Sequence, residues 1–203
     1  MEIVYTIGYT SFDINKFIEI LKKYHINCLI DVRSNPKSSY YKEYDDINLS
    51  YSLKKNNILY RNYNVEFGAR QNNKKYYNPK GFLDFKVFSK SEQFKEGIFK
   101  IRKAQELGYT VCLMCAEKDP INCHRTILIA RNLDINGFNV RHILYTGDTC
   151  TQSNIDERLL DKYFPNRNQI SIFAENNLSK EEMIEKSYEL KNEEIGFKLE
   201  DEE

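Results

Sequence analysis

The sequence predicts an α/β fold, in which a mainly parallel sheet carries helices on both faces and so forms a three-layer sandwich. Two observations support this prediction. Short apolar runs alternate with segments of helical spacing over about 150 residues, which is the pattern of repeated β-α units. The run at residues 28–32 is largely apolar on both of its faces, as is typical of a central parallel strand that is covered on both sides.

The first elements form a β-α-β unit. Residues 3–7 have the short, apolar character of a buried strand. Residues 10–13 offer side chains that can cap a helix, and apolar residues then follow at helical spacing over residues 14–21. The strand at residues 28–32 completes the unit.

The next segment, residues 33–80, is less regular. It predicts a helix at residues 49–55 and a short strand at residues 58–60. A long connection rich in Asn, Lys and Tyr follows, and connections of this length in a compact domain are usually functional or mobile.

Predicted strands and helices alternate again in the second half of the chain. A helix is predicted around residues 94–101, and residues 109–115 then have the pattern of a strand. Residues 126–133 predict a helix and residues 139–144 a final strand. One more helix precedes Pro165, which marks a boundary.

Charge is unevenly distributed along a chain whose formal net charge is zero. Residues 33–80 hold ten Lys and Arg against four Asp and Glu, whereas residues 166–203 hold five against eleven. We therefore predict a single α/β domain at residues 1–165 and an acidic, partly helical C-terminal extension at residues 166–203. The two oppositely charged segments are expected to attract each other.

Composition favours a folded protein of the cytoplasm. Hydrophobic residues make up 41% of the chain, which excludes wholesale disorder. No run approaches the ~20 apolar residues of a membrane span, and the first residues lack the pattern of a signal segment. The five cysteines, three of them between Cys112 and Cys123, favour reduced thiols over a disulfide framework.

Three loops are expected at the carboxyl ends of the predicted parallel strands, where α/β proteins bind ligands. They span residues 8–11, 33–39 and 115–125. The third loop combines thiols, carboxylates, an imidazole and a guanidinium, which is more than a solvated loop needs. The predicted catalytic residues are Cys115, Glu117, His124 and Arg125 from this loop, together with Asp31 from the second strand.

The loop from Cys115 to Arg125 permits two kinds of chemistry. Asn122 is the predicted helix N-cap, so that Cys123, His124 and Arg125 occupy the first turn. Because a helix N-terminus disfavours cations, a basic pair there indicates an anion or a thiolate in front of it. In the first interpretation Cys115 is a thiolate or Arg125 an oxyanion clamp, and His124 transfers a proton. In the second, Cys115, Cys123 and His124 bind zinc or iron, although this spacing matches no standard zinc pattern.

Structural roles are open at the same positions. Glu117 or Asp31 could orient the histidine, but Arg125 could instead form an ion pair with Glu117, Asp119 or Asp31 as a structural clamp. Asp31 could also accept hydrogen bonds from the amides of a neighbouring loop. Cys112 faces the opposite side of its strand from Cys115 and is expected in the core.

Four segments together resemble the domain of unknown function 488 family, over about residues 3–163: TIGYTSFDINKFIEIL, LIDVRSNPKSS, YNVEFGAR and LMCAEKDPINCHRTILIARNL. The resemblance implies a small cytosolic prokaryotic α/β protein and implies no particular activity. The signature positions of the family fall on Gly8, Tyr9, Asp31, Arg33, Pro36, Ser38, Gly68, Cys115, Glu117, Cys123, His124 and Arg125. Two positions depart from the family pattern, since Ser39 replaces a basic residue and Gln152 stands near the place of a histidine.

The loops and the resemblance together indicate which residues bind substrate. They are Gly8, Tyr9, Thr10, Ser11, Arg33, Pro36 and Ser38. A weaker parallel exists with rhodanese-like and related phosphatase domains, whose elements follow in a similar order and whose active-site loop binds an anion over a cysteine thiolate. Here nine residues separate Cys115 from Arg125, a longer loop than theirs, so the parallel is one of arrangement only.

The leading interpretation is an enzyme, or a former enzyme, whose pocket binds a small anionic substrate such as a nucleotide or a phosphorylated metabolite. A nucleic-acid-associated binding module is the alternative, because residues 40–77 combine tyrosines with lysines. A general bias of the chain towards Asn, Lys, Ile and Tyr explains the same composition and is preferred. A Cys/His protein that binds zinc or iron is the third hypothesis, and no membrane partner is expected.

Overall fold

A six-stranded sheet forms the centre of the computed structural model, which describes residues 3–38, 40–167 and 178–199. The strands are β1 (Ile3–Gly8), β2 (Cys28–Asp31), β3 (Leu59–Asn62), β4 (Val111–Cys115), β5 (Asn139–Ile143) and β6 (Thr149–Thr151). Their order across the sheet is β3-β2-β4-β1-β5-β6. The first five strands in this order are parallel, and β6 is antiparallel to β5. The predicted α/β class with a mainly parallel sheet is confirmed.

Helices cover both faces of the sheet. They are α1 (Ile14–Lys23), α2 (Asp46–Lys55), α3 (Asn64–Phe67), α4 (Phe85–Phe88), α5 (Glu92–Glu106), α6 (Arg131–Ile135), α7 (Gln152–Tyr163) and α8 (Lys180–Ile195). A π-helical turn at Arg125–Ala130 leads directly into α6, and 3₁₀ turns lie at Tyr9–Ser11, Lys42–Tyr44, Lys74–Tyr76 and Pro120–Asn122. None of the described helices is both long and apolar enough to cross a membrane.

Two hydrophobic cores lie on opposite faces of the sheet, as a three-layer sandwich requires. Cys112 and Met114 of β4 pack with α1 and α2, whereas Leu113 and Cys115 pack with α5, α7 and the segment around α6. The alternation along β4 therefore places Cys112 in one core and directs Cys115 to the other face, as predicted.

The boundaries of two helices show how local chemistry determines them. Asp13 caps α1 by accepting hydrogen bonds from the backbone N–H groups of Asn15 and Lys16. The predicted N-cap at Asn122 is wrong, because Asn122 ends a 3₁₀ turn and the next helix begins only at Arg125. Cys123 and His124 consequently lie in the connection before the helix rather than in its first turn.

Helix α8 of the predicted extension packs against the rest of the structure. The side chain of Asn192 donates to the carbonyl of Leu83 and accepts from the N–H of Phe85, both at 2.9 Å. Tyr188, which is 7% exposed, joins the core that contains Cys115. The domain boundary after residue 165 stays a prediction, and Ser39, residues 168–177 and the acidic end at residues 200–203 lie outside the described residues.

Candidate functional site

The carboxyl ends of β1, β4 and β2 lie side by side, since Gly8 pairs with Cys115 and Asp31 with Met114. The loops that follow these strands surround a cavity of about 390 Å³. Its walls include five predicted site residues, which are Tyr9, Arg33, Cys115, Glu117 and His124. Two other cavities in the described part of the chain, of about 350 and 710 Å³, lie against α8 and are lined by no cysteine or histidine. The chemistry predicted for the loops therefore converges on the first cavity.

Two cysteines and a histidine form a cluster beside this cavity, and Cys115 and His124 of this cluster line its floor. The Sγ atom of Cys115 lies 3.8 Å from Nδ1 of His124, and the Sγ atom of Cys123 lies 4.0 Å from the same nitrogen. All three residues are buried, and the exposed fractions of Cys115, Cys123 and His124 are 3%, 1% and 8% respectively. The structure thus brings together the three residues that one of the two interpretations of the sequence assigns to a metal site.

The carbonyl of Val32 orients the imidazole of His124. His124 Nε2 lies 3.0 Å from this oxygen, which can only accept a hydrogen bond, so Nε2 carries a proton. Nδ1 is then the nitrogen that faces both sulfur atoms. The orienting group is therefore a backbone carbonyl and neither Glu117 nor Asp31, the two candidates considered from the sequence.

Glu117 and Cys123 share one proton. The Cys123 thiol donates to Glu117 Oε2 at 2.8 Å, a separation too short for two anions. Burial raises the pKa of the Glu117 carboxyl, and Cys123 raises it further. Burial opposes ionisation of Cys123, but Cys115, Arg125 and His124 together lower the pKa of its thiol well below the ordinary value. The hydrogen bond with Cys123 and burial raise the pKa of Cys115, so its thiol keeps its proton at neutral pH.

Arg125 supplies a buried positive charge beneath this pair. Its side chain is fully buried, and Nη1 donates to the carbonyl of Glu117 at 2.8 Å and lies 3.9 Å from the Glu117 carboxylate. Nε and Nη2 find no oxygen or nitrogen acceptor among the described residues. The backbone N–H of Arg125 points to the Cys123 sulfur at 3.4 Å. The predicted clamp between Arg125 and Glu117 is present, and the same guanidinium favours negative charge on Cys123.

The loop between Cys115 and Arg125 is held from outside by α7 and α8. Arg158 of α7 forms two hydrogen bonds to the Asp119 carboxylate, at 2.9 and 2.7 Å. Lys191 of α8 donates to the side chain of Asn122 at 2.8 Å. These contacts position the loop through residues that are distant in sequence.

Gly8 is needed because the carbonyl of Glu117 crosses directly over it. A Cβ atom at this position would lie 1.9 Å from that oxygen and 3.1 Å from Nη2 of Arg125. The Gly8 backbone has φ −105°, which any residue can adopt, so close approach and not backbone conformation demands the glycine.

We expect Gly8→Ala to lower the free energy of unfolding by about 2 kcal/mol, because the loop must move away from the new methyl group. Gly81→Ala is the matched control, since Gly81 has φ +80° and no atom within 4 Å of an added Cβ. Gly81→Ala is expected to lower the free energy of unfolding by about 1 kcal/mol, from backbone strain alone. Urea unfolding of both variants measures the difference, and an equal or smaller loss in Gly8→Ala would show that the contact with Glu117 is not restrictive.

Asp31 anchors Arg33 at the edge of the cavity. The Asp31 carboxylate is fully buried and accepts from Arg33 Nε at 2.9 Å, from Arg33 Nη2 at 2.6 Å and from the Tyr60 hydroxyl at 2.8 Å. Arg33 Nη2 also donates to the carbonyl of Tyr44 at 2.8 Å, and the guanidinium lies 5.1 Å from the Tyr9 ring centroid. Nη1 of Arg33 is buried and has no partner among the described residues. Asp31 thus positions an arginine and does not line the cavity.

Several predicted substrate-binding residues support the loops and do not line the cavity. The N–H and the hydroxyl of Thr10 both donate to the carbonyl of Ala116, at 3.2 and 2.8 Å. The Ser38 hydroxyl accepts from the N–H of Tyr41 at 3.0 Å. Ser11 and Pro36 also lie outside the cavity wall. Their substrate contacts stay predictions, while the loop contacts of Thr10 and Ser38 are structural.

Arg70 and Phe197 are among the cavity-wall residues that were not predicted as site residues. Arg70 lies in the long connection before α4, and its N–H donates to the Ser34 hydroxyl at 2.9 Å. Its guanidinium lies 4.7 Å from the ring centroid of Phe197, which follows α8. The FGAR segment was the signal available for Arg70, whereas no local pattern indicated Phe197.

Only part of the segment proposed as an alternative nucleic-acid interface, residues 40–77, is exposed, since Tyr44 and Tyr76 are buried. The exposed fractions of Tyr40 and Tyr51 are 93% and 61%, and Lys55 lies 4.3 Å from the Tyr51 ring centroid. Exposure is necessary for base stacking but does not distinguish it from an ordinary surface, so nucleic-acid binding stays a prediction.

One family model matches the chain. The model described as Domain of unknown function DUF488 matches residues 13–131, which is more than half of the 203-residue chain. The matched region contains Asp31, Arg33 and the whole Cys115–Arg125 loop. No significant match was found among curated proteins or among solved structures.

Proposed function

This chain belongs to the DUF488 family of domains of unknown function, and from that premise we propose that it is an enzyme that binds a small anionic substrate in the cavity beside Cys115. The substrate class is a phosphate-like anion or a nucleotide. The observation that carries the proposal is the pairing of two arginines in the cavity wall with a thiol and an imidazole at its floor.

Both arginines make contacts within the protein before any ligand binds. Arg33 uses Nε and Nη2 for Asp31 and Tyr44, so its position is set, and Nη1 is left as a buried donor without a partner among the described residues. Such a donor is costly unless a ligand group accepts its hydrogen bond. Arg70 is held by Ser34 at its backbone and by Phe197 at its guanidinium. Two positioned guanidinium groups suit the oxygens of a phosphate or a carboxylate.

The neighbouring negative charges do not cancel this preference. The Asp31 carboxylate is engaged by Arg33 and Tyr60, and the Glu117 carboxyl shares a proton with Cys123. Neither Asp31 nor Glu117 is therefore a free carboxylate that would compete with an anionic ligand for the arginines. Its volume of about 390 Å³ lies within the usual range for small-molecule sites.

The reacting part of the substrate is expected against Cys115 and His124. A bound anion held by Arg33 and Arg70 would bring its reacting group to the floor of the cavity, where Nδ1 of His124 faces the Cys115 sulfur. Positioning of this kind lowers the barrier of a reaction because the orientation is fixed before the chemical step.

Isothermal titration calorimetry with inorganic phosphate and with adenosine 5′-monophosphate tests the proposal. We expect one site in the wild-type protein for at least one of the two probes. Arg70→Gln is expected to weaken binding at least about tenfold, because a charge-assisted hydrogen bond contributes roughly 1.5–3 kcal/mol.

Arg61→Gln is the matched control, since Arg61 is an exposed arginine on β3 that does not line the cavity. Its affinity should equal that of the wild type at the same ionic strength. Absence of binding for both probes, or an equal loss in Arg61→Gln and Arg70→Gln, would overturn the proposal.

A further inference from the structure

We infer that Cys115, Cys123 and His124 form a binding site for a thiophilic divalent metal ion, zinc or iron(II), with one coordination position open to the cavity. One ligand atom from each residue lies within 4.8 Å of the other two. The inference rests on these ligand atoms alone, so it stands whether or not an anion binds in the cavity.

The separations are close to those of a bound metal. A tetrahedral ion about 2.3 Å from sulfur and about 2.0 Å from nitrogen places those two ligand atoms about 3.5 Å apart. The two sulfur-to-nitrogen distances here are 3.8 and 4.0 Å. Side-chain shifts of a few tenths of an ångström, on the order of thermal displacements, would complete the geometry.

The histidine has the correct tautomer for coordination through Nδ1. Its Nε2–H group donates to the carbonyl of Val32 at 3.0 Å, which leaves Nδ1 to face the two sulfur atoms. A metal-bound histidine usually donates its other ring N–H to a carbonyl or carboxylate in this way. The orientation that a metal requires is therefore built in by the end of β2.

The charges of the ligands match a divalent ion. Two thiolates and one divalent cation are neutral together, and the Glu117 carboxyl, 2.8 Å from the Cys123 sulfur, keeps the proton that the two groups share. The backbone N–H of Arg125 points to the Cys123 sulfur at 3.4 Å, as donors do around metal-bound thiolates.

The three ligands that the described residues provide indicate a catalytic rather than a structural site. Structural zinc sites have four protein ligands, whereas catalytic sites leave one position for water or substrate. Cys115 and His124 both line the cavity, so the remaining position faces it. A metal there would act as a Lewis acid towards an oxygen atom held by the cavity arginines.

The test uses the full chain, purified without chelator and without oxygen. Its zinc and iron content is measured, and the metal-free protein is then titrated with zinc against a chromophoric chelator. We expect about one equivalent of zinc and at least about a tenfold loss of affinity in Cys115→Ser and in Cys123→Ser. Cys150→Ser is the matched control, because Cys150 is a free cysteine on β6 outside the cluster, and its zinc affinity should be unchanged.

Binding of cobalt(II) to the wild-type protein keeps the inference testable if a serine variant does not fold. A thiolate-to-cobalt charge-transfer band with the intense visible bands of tetrahedral cobalt supports the site. A weak octahedral spectrum, equal zinc affinity in Cys123→Ser and Cys150→Ser, or a disulfide between Cys115 and Cys123 in the anaerobic protein would overturn it. Zinc binding without anion binding would overturn the proposed function alone, and anion binding without metal binding would overturn this inference alone.

Discussion

Arg125→Leu is expected to lower the free energy of unfolding by about 3 kcal/mol, because it removes a fully buried guanidinium that compensates negative charge at the buried Cys123 sulfur. The Arg125 side chain is fully buried and lies 3.9 Å from the carboxylate of Glu117, whose side chain is 43% exposed. Leucine would fill much of the space, but it would leave the Glu117 carbonyl without its donor and the negative charge shared by Cys123 and Glu117 without compensation.

Arg158→Leu is the control for this prediction. Arg158 also pairs with a carboxylate, Asp119, at 2.7 Å, but the two side chains are 42% and 40% exposed. Exposed pairs of this kind contribute about 1 kcal/mol or less. Urea unfolding of both variants at one pH measures the contrast, and a similar cost for the two arginines would show that the charge beneath Cys123 is not structurally required.

Protonation of His142 alone is expected to lower the free energy of unfolding by about 3 kcal/mol as the pH falls from 6.5 to 4. His142 is fully buried; Nδ1 lies 2.9 Å from the Thr6 hydroxyl and Nε2 lies 2.8 Å from Oε1 of Gln152. Burial lowers the pKa of His142 from 6.5 to about 4 in the folded state. The neutral ring is satisfied by its two partners, since Nε2–H donates to Gln152 and Nδ1 accepts from Thr6.

The direction follows from proton binding in the two states. Below pH 6.5 the unfolded chain takes up a proton on this histidine, whereas the folded chain does so only below about pH 4. The contribution of His142 to stability is therefore fully present above pH 6.5 and is lost progressively as pH falls to about 4.

Denaturant unfolding at pH 7 and pH 5 of His142→Asn and His25→Asn measures this contribution. His25 is exposed and is the matched control. The loss of stability between the two pH values should be about 2 kcal/mol smaller in His142→Asn than in the wild type, and unchanged in His25→Asn. The same pH dependence in all three proteins would contradict the assignment of a neutral His142.

Most of the sheet could be predicted because its strands are local apolar runs. The predicted strands at residues 3–7, 28–32, 109–115 and 139–144 correspond to β1, β2, β4 and β5. The antiparallel strand β6, Thr149–Thr151, was not predicted because three residues give no readable period, and it forms only by pairing with β5. Sheet order also depends on tertiary packing, which local periodicity does not contain.

The convergence of the site could be predicted from the same reasoning. The carboxyl ends of parallel strands meet at one edge, so Cys115 and Arg33 were expected together, and both line the cavity. The N-cap at Asn122 was predicted incorrectly because Asn122 belongs to a 3₁₀ turn. Asp119 caps this turn by accepting a hydrogen bond from the N–H of Ile121. A short turn with its own cap cannot be distinguished from a helix start by capping residues alone.

The remaining walls of the site depend on contacts between distant parts of the chain. Arg70 reaches the cavity because its N–H bonds to Ser34, thirty-six positions earlier. Phe197 reaches it because α8 is fixed by the contacts of Asn192 and Lys191. Gln152, which departs from the family pattern, accepts a hydrogen bond from His142 and donates to Tyr188 at 2.6 Å, so it belongs to a buried polar network rather than to the cavity.

The anion site is tested most directly by a crystal structure of the full chain soaked with tungstate, an analogue of phosphate that is located by its anomalous scattering. The predicted result is an anomalous peak in the cavity beside Cys115, within hydrogen-bonding distance of both Arg33 and Arg70. Tungstate bound only at surface lysines, with none in the cavity at a saturating concentration, would contradict the proposal that this cavity binds an anionic substrate.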